Sequence, residues 1–124
     1  MKKLIFIFAL STMLATPFAS ALTPEEIREC QTLAASFAPA KKAIEVKVAE
    51  RDVLAADTEA AGEAWQNAQN VRYLTPEAAA EADALRLVWD QKKEAFNRFE
   101  SELWEMSNNL KKDSRRFNLL CATD

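Results

Sequence analysis

Leu74-Thr75-Pro76-Glu77 is the stretch that decides the fold. A threonine before a helix accepts a hydrogen bond from an otherwise orphaned amide of the first turn, and proline suits the first helical position, where no backbone N–H is needed. Thr75 and Pro76 therefore start a helix. The same four residue types, Leu22-Thr23-Pro24-Glu25, occur earlier in the chain and start another. The two helices are predicted over Pro24 to about Asn70 and Pro76 to about Leu120, nearly equal in length. So short a connection folds them back antiparallel.

Facing residues of an antiparallel hairpin have position numbers with a constant sum. The chain's two cysteines, Cys30 and Cys121, sum to 151, and half of that falls between Thr75 and Pro76, inside the turn located from capping chemistry alone. A Cys30–Cys121 disulfide closing the open end is the consequence. The predicted class is all-α, a long antiparallel two-helix coiled-coil hairpin. Composition agrees, with one Gly and four Pro among 124 residues, too few for a β-sandwich, a glycine-rich phosphate loop or a disordered chain.

Pro39 lies inside the first arm, where its ring removes one backbone bond and crowds the preceding turn. A kink with the axis continuing is the expectation. The alternative is a three-helix bundle broken at Pro39, which would bring Cys30 level with Val48 and leave Cys121 about 30 Å away, too far for a bridge.

Heptad spacing supports the pairing of the arms. Alternating steps of four and three from Leu85 to Leu120 meet apolar residues everywhere except Lys92 and Asp113. The same steps from Leu33 to Ala68 give a weaker seam, with Lys47, Arg51 and Thr58 among its members and small Ala40, Ala61 and Ala68. Small residues, Gly62 included, can receive large ones such as Trp89 and Phe96. By the constant sum, Arg51 faces Glu100 and Lys47 faces the stretch from Glu102 to Met106.

Met1 to Ala21 reads as an export signal: Lys2 and Lys3, an apolar run from Leu4 to Leu10, and Ala19-Ser20-Ala21 as the small-x-small cleavage pattern. Residues 22–124 then form a single domain, periplasmic or secreted. Removing the leader removes two lysines and no acid, taking the formal charge from −3 to −5. The overall negative charge and export remove the usual reasons to think of DNA or RNA, whose binding draws its affinity from neutralising phosphates, so no nucleic-acid partner is expected.

The residues for catalysis are missing. The chain has no histidine, both cysteines are assigned to a disulfide, and no phosphate-binding, zinc-protease or nucleophile-elbow motif occurs. Carboxylates such as Asp57, Glu59, Glu63, Glu100, Glu102 and Glu105 read as a solvated face, since a narrow hairpin has no concavity to gather them. A non-enzyme with no metal site and no cofactor is expected.

Two surface features remain. Val46, Ala49, Val53, Ala56 and Ala60 repeat at threes and fours on the outside of the first arm, whereas the second arm's outer face carries Gln91, Glu94 and Arg98. A further helix, from a second copy or another protein, would pack on that stripe, with Trp104 joining the contact. The second feature is cationic: Lys41 and Lys42 fall level with Lys111, Lys112, Arg115 and Arg116, forming a collar suited to anionic headgroups or polyanions.

The leading expectation is a binding or assembly module of the bacterial cell envelope acting by helix packing, with itself as a homodimer or with a partner protein. An anionic-surface binder using the collar is the second. A small inhibitor or immunity protein against an envelope enzyme fits the size, leader and disulfide as a third.

Overall fold

The computed structural model describes residues 22–122, so the leader expected at 1–21 lies outside the described residues. Two helices make up the fold: α1, Pro24–Val71, of 48 residues, and α2, Pro76–Leu120, of 45 residues. They pack against each other along their length, roughly 70 Å at helical rise.

Both starts obey the capping chemistry, with one difference. Thr23 accepts from the Glu26 amide at 3.2 Å, and Glu26 returns the bond by accepting from the Thr23 amide at 2.6 Å, a complete capping box. Thr75 accepts from the Ala78 amide at 3.1 Å, but alanine at that third position has no carboxylate to reach back. Between the helices, Leu74 N–H donates to the Val71 carbonyl at 3.0 Å, and the Arg72 guanidinium grips both carboxylate oxygens of Asp83 at 2.7 and 3.3 Å.

α1 runs through Pro39 without interruption, which excludes the three-helix alternative. Pro39 and Ala35 both lie on the solvent side, so the carbonyl that loses its donor faces water and the ring displaces no packed side chain. Two residues before it, Phe37 packs edge-on against Phe117 at 5.5 Å between ring centroids and fixes the helix to its partner.

At the far end Cys30 and Cys121 form the disulfide, with Cα atoms 5.7 Å apart. Every seam residue named above, from Leu33 to Ala68 and from Leu85 to Leu120, is half-buried or buried. The interior is nevertheless thin. Gly62, Ala82 and Leu103 alone among the described residues are buried, because two cylinders in contact cover only one stripe each.

Aromatic and charged pairs fill this interface. Trp65 and Trp89 stack with centroids 4.9 Å apart and planes 18° from parallel, directly beside Gly62. Lys47 lays its stem across Phe99, its ammonium 4.4 Å from the ring centroid, and its charge reaches Glu102 at 3.7 Å. Arg51 lies 3.5 Å from Glu100, and Lys92 pairs with Asp57. The position numbers of these inter-arm partners, from Glu29 with Arg116 to Arg72 with Asp83, sum to between 145 and 155.

Candidate functional site

The two helices run in opposite directions, so a residue just before a seam position on one arm shares a face of the layer with a residue just before a seam position on the other. Ion pairs mark both faces. Glu102 precedes Leu103 and meets Lys47, and Glu29 meets Arg116, which precedes Phe117. Glu100 follows Phe99 and meets Arg51 on the opposite face. There Glu59, Gly62, Gln66 and Lys93, each following a seam residue, line one groove over Trp89.

This rule locates the apolar stripe. Val46, Val53 and Ala60 precede Lys47, Leu54 and Ala61, while Ala49 and Ala56 point directly away from α2. All five are exposed, Val46 by 52% and Val53 by 70%. Trp104 is exposed by 68%, but it follows Leu103 and shares its grooves with Glu100, Glu105, Asn108 and Lys112 of its own helix. It therefore lies on the face opposite the valines.

The collar is divided too. Lys112, Arg115 and Arg116 line an open groove at the clasped end of the hairpin together with Glu26, Glu29, Leu119 and Leu120. Lys41, Lys42 and Lys111 are exposed but do not line it. Leu119, exposed by 90%, sits among these cations and was not part of the sequence reading. The signal was there in the spacing, since Leu119 is seven residues after Lys112 and within one turn of Arg115 and Arg116.

Local electrostatics is that of a wet surface. The Asp90 carboxyl is held below its ordinary range, chiefly by the hydrogen bond from Lys93, which outweighs the desolvation cost, with the charges of Lys93 and then Arg86 adding attraction. Arg51 is pushed up, first by its hydrogen bond to Asp52, then by the charges of Asp52 and Glu100. Lys93 also places its ammonium 3.7 Å from the Trp89 centroid. Among the described residues no three Asp, Glu, His or Cys side chains converge as a metal site would require, and no helix is long and apolar enough to cross a membrane. Both cysteines are held in the disulfide.

The chain matches no protein-family model, and no curated protein or solved structure is detectably similar to it.

Proposed function

We propose that the chain is a non-enzymatic helical assembly module, exported to the bacterial cell envelope, that joins a second copy of itself through the outer face of α1. The observation that carries this reading is the self-complementarity of the exposed stripe. Set two copies of α1 antiparallel about a two-fold axis near Arg51, and the constant-sum rule brings Val46 opposite Ala56 and Ala49 opposite Val53. Each valine meets an alanine, and Ala49 and Ala56 each meet a valine, while Ala60 falls opposite Lys42. Lys42 and Glu63 bound the stripe at its two ends and come level with each other across the same axis, within the spread of the ion pairs inside the hairpin.

Energetics favour the same arrangement. Burying a valine side chain from water stabilises by about 1.5 to 3 kcal/mol, and each copy contributes two valines that the hairpin itself leaves exposed.

Light scattering coupled to gel filtration tests the reading. The oxidised chain is expected at twice its monomer mass, and Val53→Glu at the monomer mass with unchanged helicity. Lys42→Glu weakens the dimer, and adding Glu63→Lys restores it. A chain that stays monomeric up to its solubility limit overturns the proposal.

A further inference from the structure

The clasped end of the hairpin carries a second surface, independent of the stripe. Its groove holds three cations, Lys112, Arg115 and Arg116, and two carboxylates, Glu26 and Glu29. Glu29 pairs with Arg116, while Glu26, which accepts from the Thr23 amide in the capping box, keeps its charge, so the groove carries one net positive charge. Among the described residues neither Lys112 nor Arg115 has an ion-pair partner, and both are exposed. Beside them stands Leu119, exposed by 90%, more than any other large apolar side chain described. Two cations free of ion pairs next to a projecting leucine are the chemistry of an interfacial anchor: the cations meet phosphates while the leucine enters the acyl boundary.

We infer that this end docks on the surface of an anionic lipid bilayer, with Lys112 and Arg115 against the headgroups and Leu119 inserted beneath them. The partner is a bilayer and not a polyanion in solution, because a soluble polyanion offers Leu119 nothing apolar to enter. It is a surface contact, since neither helix is apolar enough to span a membrane. The disulfide between Cys30 and Cys121 holds this end of α2 to α1, so the anchor is a rigid tip. The contact does not depend on the dimer, and the two proposals fail separately.

Co-sedimentation of the oxidised mature chain with vesicles tests it, comparing phosphatidylcholine alone with a mixture containing phosphatidylglycerol. Binding is expected only to the anionic vesicles, falling steeply as salt rises from about 50 to about 500 mM. Lys112→Glu and Arg115→Glu should each weaken it by at least about fivefold, the weight of one basic residue at a membrane surface. Leu119→Ser should weaken it about tenfold and Leu119→Met should retain it, which separates insertion from any loss of fold. Arg98→Glu, the same change of charge elsewhere on α2, should leave it within about twofold.

Equal binding to neutral vesicles, or equal losses from Arg98→Glu and Arg115→Glu, overturns the proposal. So does loss of binding with Leu74→Ser at the hairpin turn while Leu119→Ser binds normally. Full binding of Leu119→Ser to both vesicles and soluble polyphosphate would mean a polyanion site in place of a bilayer anchor.

Discussion

Gly62→Ala sets two effects of known size against each other. In the middle of a helix, alanine is favoured over glycine by about 0.8 to 1.0 kcal/mol, so an unobstructed site would gain that amount. Gly62 is not unobstructed. A Cβ built there lies 3.0 Å from Trp89 Nε1 and 3.3 Å from Cε2, several tenths of an ångström inside ordinary contact. The indole cannot easily give way, because Trp65 is stacked on it at 4.9 Å and the Lys93 ammonium sits 3.7 Å from its centroid. Overpacking of this kind costs about 1 to 3 kcal/mol. The clash outweighs the propensity, and Gly62→Ala should destabilise by about 1 kcal/mol, lowering Tm by roughly 4 to 8 °C. In a Trp89→Leu background the obstruction is gone and the same substitution should stabilise by about 1 kcal/mol, a coupling of about 2 kcal/mol. Urea unfolding of the four oxidised proteins, followed by far-ultraviolet circular dichroism, measures it. Equal stabilisation in both backgrounds would refute the argument that Gly62 is a notch for Trp89.

Reducing the disulfide, or replacing Cys30 and Cys121 by serine, releases a loop with a sequence separation of 91 residues and should cost up to about 4 to 5 kcal/mol, read as a lower urea midpoint; an unchanged midpoint would contradict it. Stability should be flat from about pH 6 to 9, because the chain has no histidine and its cysteines do not titrate. On acidification the sign follows Asp90: its folded carboxyl titrates below the ordinary value, so its contribution is complete above about pH 4 and is lost as pH falls through the lower folded value. Asp90→Asn should therefore flatten the acid limb of a plot of Tm against pH, and an identical limb would remove Asp90 as a cause.

The fold was legible because each of its determinants is local or one-dimensional. Capping at Thr23 and Thr75 fixes where helices begin, and steps of four and three fix the seams. Cys30 and Cys121 fix how far one arm slides along the other. Lys47 with Glu102 and Arg51 with Glu100 follow from that slide. The effect of Pro39 was less legible, since whether a proline breaks a helix depends on which side its ring faces and on what holds the next turns. Here the ring faces solvent, and the Phe37 contact with Phe117 and the bridge at Cys30 hold the flanking helix to α2.

The surface features were harder to read, and for a geometric reason. A constant sum gives a residue's height along the hairpin but not its direction around the helix. Trp104 and Val46 differ little in height, and height alone joins them in one contact. Direction separates them: Trp104 follows its seam neighbour Leu103, Val46 precedes its seam neighbour Lys47, and in an antiparallel pair those offsets point to opposite faces. The six-residue collar fails the same test. Arg116 precedes Phe117 and lies on the face of Glu29, whereas Lys41 follows Ala40 on the other face, so one level of charge is two patches. The patch that includes Leu119 sets two cations free of ion pairs beside the most exposed large apolar side chain described. Among these surfaces, then, chemistry suited to a membrane belongs to the clasped tip, and chemistry suited to a second helix belongs to the flank at Val53.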